Sequence, residues 1–231
     1  MKRFWKDATV AQTERGWRVL LDGRAVKTQA GSVQLVPSEP LATAMAAEWA
    51  AQGETVDPDS LPLRDLADYA IEVIAPDRPA AIAHLLRYAE TDTLCYRAGP
   101  DEPLYPRQIS VWEPLLTAAE ARWDIHFERV SGVIHRPHSP ATMARLERVL
   151  ASHDDCTLAA LTTLSALAAS LVIALAALEP GTDAAQLWNA ANLEEDWQAE
   201  LWGTDPEAAE RRARRLASFS AAQRFALLAR D

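Results

Sequence analysis

Between Cys156 and Leu178 the chain carries no charged residue for 23 consecutive positions. As a helix this run is long enough to cross a hydrocarbon layer of ~30 Å, so a fold must either insert it in lipid or enclose it. Alanine dominates the run, and Thr157, Thr162, Thr163, Ser165 and Ser170 interrupt it, which makes transfer into lipid far weaker than for a Leu/Ile/Phe stretch. The flanks, Asp154, Asp155 and Glu179, are acidic and supply no Lys or Arg anchor. A buried central helix with no membrane insertion is therefore expected. A chain of 231 residues, 49% hydrophobic and 24% charged, has enough material to enclose it.

The pattern ahead of that run changes once. Trp17-Arg18-Val19-Leu20-Leu21 and Arg24-Ala25-Val26-Lys27-Thr28 flank Asp22-Gly23, a strong hairpin signal, and Val33 to Val36 ends a small antiparallel meander. Helical spacing follows. Ser38 caps a helix bearing Leu41, Met45 and Trp49, and a second helix carries Leu63, Leu66, Ala67, Ala70, Ile71 and Ile74. Pro76-Asp77-Arg78-Pro79 punctuates the chain, giving an α+β domain over residues 1–78 and a mainly α-helical domain over residues 79–231. In the latter, helices are expected around Ile82 to Ala89, around Ile109 to Trp123 with a bend or restart at Pro114, after Ser139-Pro140, through the uncharged run, from about Thr182 to Trp202, and after the capping box Thr204-Asp205-Pro206-Glu207. One extended piece, Ile125 to Ile134, is the only strand expected there.

Several chemistries are disfavoured. The net charge of −10 argues against general nucleic-acid or anionic-membrane binding. Glycine-rich phosphate loops and a nucleophile elbow are missing from the sequence. His135 and His138 are separated by a proline and lack neighbouring carboxylates or thiols, which reads as a loop with two exposed histidines, with no metal and no cofactor expected. His153 and Cys156 lie near a polar helix start without the geometry of a dyad. Two cysteines, Cys95 and Cys156, without a pairing pattern fit a reducing compartment. The opening Met1 to Asp7 resembles neither a secretory signal nor a transit peptide, so a bacterial cytoplasm, or the interior of an organelle after processing, is the expected location.

The segment Leu193-Glu194-Glu195-Asp196-Trp197-Gln198-Ala199-Glu200-Leu201-Trp202-Gly203 is the most informative. At about 100° per residue counted from Leu187 in one continuous helix, Leu187, Ala190, Leu193, Trp197, Leu201 and Trp202 share an arc, while Asp196 and Glu200 face solvent. Glu194 lands inside the apolar arc. A carboxylate there is paired internally, exposed in a groove or shifted in pKa, because burying it alone costs several kcal/mol. The eight tryptophans add candidate interface anchors, two or three of which are expected outside the core.

These residues also carry a resemblance. Arg3-Phe4-Trp5-Lys6, Leu21-Asp22-Gly23-Arg24, Glu48-Trp49, Thr91-Asp92-Thr93-Leu94-Cys95-Tyr96-Arg97, Gln108 with Trp112-Glu113-Pro114-Leu115, SLVIALA from Ser170 to Ala176 and LEEDWQAELWG from Leu193 to Gly203 occur in this order. Together they resemble the family of ATP synthase assembly chaperones that bind the free alpha subunit of the soluble catalytic sector. Leu61-Pro62-Leu63-Arg64 and Arg136-Pro137-His138 depart mildly from the family's pattern. The resemblance implies a two-domain, non-enzymatic protein without cofactor, monomeric when free, and placed in the cytoplasm of a bacterium or the mitochondrial matrix of a eukaryote. Its client is then the alpha subunit, whose beta-contacting surface it shields. The family's sensitive acidic position falls on Glu194, and the expected client-binding set is Glu194, Glu195, Trp197, Gln198 and Trp202. Trp49, Asp92, Arg97 and Trp112 are expected to serve folding.

Two other readings compete. A helical scaffold or chaperone for a different client is one, and a pull-down from a lysate separates it from the first reading. A hydrolase with Glu194 or Glu195 as general base needs a neighbouring acid or nucleophile, and a pocket holding carboxylates of raised pKa.

Overall fold

A computed structural model describes residues 2–132, 134–203 and 205–230. The chain forms two compact units. The first runs to Arg78 and also takes in Asp154–Ala160 and the residues from Ala221 onward; the second comprises Pro79–His153 and Leu161–Ser220.

In the first unit, β1 (Ala8–Thr13), β2 (Gly16–Leu21) and β3 (Arg24–Ala25) form an antiparallel sheet in that order, with Val10 opposite Val19 and Leu20 opposite Ala25. Asp22 and Gly23 both have positive φ, 47° and 78°, as a two-residue hairpin turn requires. The Asp22 carboxylate also accepts the backbone N–H groups of Lys6 and Asp7 at 3.0 and 2.9 Å, fixing the approach to β1. Isolated bridges from Trp17 to Val36 and Lys27 to Val33 continue the meander.

Helix α1 (Glu39–Ala50) lies on β1 and β2, with Leu41, Met45 and Trp49 buried, and Ser38 caps it by accepting the Leu41 N–H at 3.2 Å. Its Glu48 in turn caps α2 (Pro62–Tyr69): the two carboxylate oxygens accept the Leu63 and Arg64 N–H groups at 2.8 and 3.1 Å. Burial raises the Glu48 pKa in spite of those donors. The helix continues through a five-residue π segment, Ala70–Ile74, and a 3-10 turn, Ala75–Asp77.

Among the described residues of the second unit, the strands are one short parallel pair and the other regular elements are helical. Helix α3 (Arg78–Glu90) leads to a 3-10 turn at Thr93–Cys95 and to β4 (Tyr96–Arg97), which pairs with β5 (Val130–Ser131). The sequence reading expected a single strand here. Two residues are too few for alternation to reveal β4. Helix α4 (Tyr105–Trp123) continues through Pro114. Helix α5 (Pro140–Ala151) starts at its Ser139 cap, where the side chain accepts the Thr142 N–H at 3.1 Å. His138 corrects the picture of two exposed histidines. It is buried, its Nδ1 accepts the Glu128 N–H at 3.0 Å, Nε2 lies 2.9 Å from the Ala89 carbonyl, and burial lowers its pKa.

The uncharged run is largely buried, but as two helices, α6 (Asp155–Ala168) and α7 (Leu171–Ala176). Ala169 breaks them with φ 50°, a conformation that costs an L-residue roughly 1–2 kcal/mol. Long-range contacts offset that cost. Thr93 donates its N–H and Oγ1–H to the Ala169 carbonyl at 3.1 and 2.9 Å, and the fully buried Asp92 accepts the Leu94 N–H at 3.1 Å and the Val172 N–H at 2.9 Å. Ser170 caps α7 by accepting the Ile173 N–H. No helix among the described residues is long and apolar enough to cross a membrane.

The helix expected from Thr182 to Trp202 is likewise two, α8 (Ala184–Ala191) and α9 (Leu193–Trp202), parted at Asn192 with φ −106° and ψ 20°. Helix α10 (Pro206–Arg230) follows. Of its expected capping box, Thr204 lies outside the described residues, and Asp205 accepts the Ala208 N–H at 3.1 Å.

Two stability predictions follow from this packing. A Cβ on Gly16, at φ 137°, meets the Val36 carbonyl oxygen at 2.6 Å, so Gly16→Ala is expected to destabilise the chain by ~2 kcal/mol in urea unfolding. Wild-type stability in that variant contradicts the tight β2 approach. For Asp92, burial raises the folded carboxyl from 3.8 to about 6 against the donors that favour its charge. Between those values the folded state holds a proton that the unfolded chain has released. The stability contributed by this group is thus present at low pH and lost as pH rises through 6, by at most ~3 kcal/mol. Asp92→Asn should lack that component when unfolding is compared at pH 4 and pH 7, and an unchanged pH slope in the variant contradicts the assignment.

Candidate functional site

Helix α9 buries one side chain, Leu193. The restart after Asn192, whose Nδ2 donates to the Trp188 carbonyl at 2.8 Å, rephases the helix relative to α8. Arcs counted from Leu187 therefore fail beyond this point. Leu201 and Trp202, expected on the apolar arc, are 56% and 78% exposed, and Glu194 is exposed as well. Within α9 itself, Glu194, Glu195, Gln198, Leu201 and Trp202 fall inside one arc of about 120°. All five are exposed. Trp197, grouped with them in the sequence reading, lies off this face, half-buried beneath the guanidinium of Arg107 at 5.5 Å from the ring centre.

Ion pairs on the opposite flank, and one amide at the edge of the exposed face, hold α9 in place. Arg107, in the first turn of α4, donates two hydrogen bonds to Glu200 at 2.6 and 2.7 Å and holds that carboxyl below its ordinary range. Asp196, expected in free solvent, pairs with Arg212 of α10 at 2.5 Å. Glu194 accepts 2.7 Å from Nε2 of Gln108, a neutral donor whose own residue is fully buried. Trp112, also fully buried, donates Nε1–H to the Ala190 carbonyl at 2.8 Å and fixes the end of α8 on α4. Neither Arg107 nor Glu200 stood out in the sequence. They are ninety-three positions apart, and each has the composition of an ordinary exposed helix.

Two open grooves border the helix. One, of about 630 Å³, lies among α4, α8 and α9 and carries Arg107, Asn189, Leu193 and Glu200. The other, of about 540 Å³, lies between α9 and the first turns of α10. Trp202, Ala199, Ala208, Ala209, Ala213 and Leu216 give it apolar walls, and Glu195, Asp196, Gln198, Asp205 and Arg212 line it as well. The carboxylates whose pKa is raised, Glu48, Asp65 and Asp92, line neither groove. No group of three or more His, Cys, Asp or Glu among the described residues is placed to hold a metal. Cys156 is buried, with its thiol pushed up to about 12 by desolvation, and is no activated nucleophile.

The remaining singled-out residues lie apart from this face. Asp92 ties the Thr93 turn to α7, and Arg97 is buried against Glu113 at 2.5 Å, with Arg129 joining Glu113 at 2.8 Å and pairing with Glu120. Trp49 is buried in the first unit, edge-on to Trp5 with ring centres 5.2 Å apart.

Comparison with known proteins gives this arrangement a family. The family model described as ATP12 chaperone protein matches residues 2–120. Protein atp12, mitochondrial, of Schizosaccharomyces pombe is 25% identical over 221 residues, 90% of this chain and 76% of that protein. The crystal structure of Atp12 from Paracoccus denitrificans superposes with a TM-score of 0.93 at 37% identity, covering 99% of this chain and 98% of that one. Atu1473 protein from Agrobacterium tumefaciens gives the same TM-score at 40% identity, over 98% of this chain and 85% of that one. Matched by the model over more than half its length, and by the Paracoccus fold over nearly all of it, the chain belongs to the ATP12 chaperone family.

Proposed function

We propose that this chain is a chaperone for assembly of the catalytic sector of an F-type ATP synthase, and that it binds the free alpha subunit through the exposed face of α9. Membership of the ATP12 chaperone family supports the assembly role. The observation that carries the client site is the face itself, where two carboxylates, an amide and two large apolar side chains stand in solvent on a helix clamped by Arg107, Gln108 and Arg212. A family of chaperones has use for such a surface. An exposed tryptophan with an adjoining apolar groove can cover aggregation-prone area on a partner, and the acid at its edge confers register. Because the free alpha subunit exposes the surface that later meets the beta subunit, a chaperone held there prevents off-pathway association until exchange. Turnover is not part of this reading. The acids along α9 are neutralised by arginines or exposed, and no raised-pKa carboxylate sits in either flanking groove to serve as a general acid or base.

The test is capture of the alpha subunit by wild-type and variant chains, read by co-purification and by suppression of alpha-subunit aggregation. Glu194→Gln and Trp202→Ala are each expected to weaken capture about tenfold or more while the melting temperature stays within a degree or two, since both side chains are exposed. Unaltered capture in both variants contradicts the assignment of α9 as the client surface.

A further inference from the structure

Of the four carboxylates of α9, Glu195 stands exposed, while Glu194, Asp196 and Glu200 are each held by a side chain of another helix, and not in the same way. Asp196 and Glu200 each meet a guanidinium, from Arg212 and Arg107. Glu194 meets the uncharged amide of Gln108 at 2.7 Å. The amide is itself fixed. Its Oε1 accepts the backbone N–H of Ala98 at 2.9 Å, so its NH2 end must point at Glu194, and a flipped amide would oppose N–H to N–H on one side and oxygen to carboxylate on the other. Gln108 is fully buried and cannot turn to water instead.

A neutral donor holds a carboxylate in place without cancelling its charge, whereas an arginine at the same point would do both. Resting on the reading of α9 as the client surface, we propose that Gln108 is a positioning residue that presents Glu194 as a fixed, uncompensated anion to a lysine or arginine side chain of the client. Arginines meet Asp196 and Glu200, and a glutamine meets Glu194. The client group that fits is therefore a cation set beside apolar surface, the apolar part meeting Leu201 and Trp202 on the same face of α9.

The experiment compares wild type, Q108E, E194Q and the double variant, measuring Kd for the purified alpha subunit from pH 5.5 to 8.5. In Q108E the acceptor for Ala98 N–H survives, but the donor to Glu194 is present only while a proton is shared between the two carboxyls. Like charge raises the pKa of that pair. Q108E should therefore approach wild-type affinity at the acid end, fall about tenfold weaker at the alkaline end, and add nothing to the loss already present in E194Q. If Q108E folds poorly, a second measurement decides on the wild-type chain. The Gln108 side-chain amide protons should exchange with water several-fold more slowly in wild type than in a Glu194→Ala chain, which lacks the acceptor. Losses that multiply in the double variant, or amide exchange equal in wild type and Glu194→Ala, overturn the positioning role alone. An E194Q chain that binds as wild type overturns the positioning role, and if Trp202→Ala also binds as wild type the client reading of α9 falls with it.

Discussion

A helix of ten residues that buries only Leu193 cannot be held by core packing, and α9 is such a helix. Burial of a single leucine contributes about 2 kcal/mol, less than the cost of ordering ten residues of backbone. What fixes α9 is a polar clamp: Arg107 on Glu200 and Trp197, Gln108 on Glu194, Arg212 on Asp196. Arg107 and Gln108 both sit in the first turn of α4, which the buried Trp112 locks to α8 through the Ala190 carbonyl. Precise placement is thereby separated from burial. The helix can keep a carboxylate, a leucine and a tryptophan in solvent without collapsing its own apolar residues onto the core.

The deeper framework serves the same end. Asp92, without contact to water, gathers donors from the Thr93 turn and from the start of α7, and it accepts a raised pKa in doing so. Arg97 and Arg129 share Glu113 on α4, so the strand pair and that helix are fixed to each other through charge. A few buried polar groups with many partners specify one arrangement of short helices where alanine-rich sequence alone would permit several.

Local signals in the sequence marked what local physics controls. Asp22-Gly23 gave the hairpin, Ser38 and Ser139 gave helix starts, and the spacing of Leu41, Met45 and Trp49 gave the buried face of α1. The breaks at Ala169 and Asn192 were not legible, because neither residue is a helix breaker by type. Ala169 turns left-handed on account of Thr93 and Asp92, some eighty positions away. The slip at Asn192 also changed what the wheel could say about Glu194. Arithmetic on one continuous helix set that acid among apolar neighbours, whereas in α9 it is exposed beside Leu201 and Trp202 and bonded to a glutamine. The family resemblance reached the same residue by motif, and the clamp of Arg107 on Glu200 was visible by neither route.

The central claim is that the solvent-facing side of α9 is the surface a client covers. Hydroxyl-radical footprinting tests it most directly, since Trp202 and Leu201 are oxidised readily when exposed. In a complex with the alpha subunit, oxidation of both is predicted to fall several-fold while that of Phe4, also exposed and in the first unit, stays as in the free chain. A complex that forms with Trp202 and Leu201 oxidised at their free rates contradicts the account.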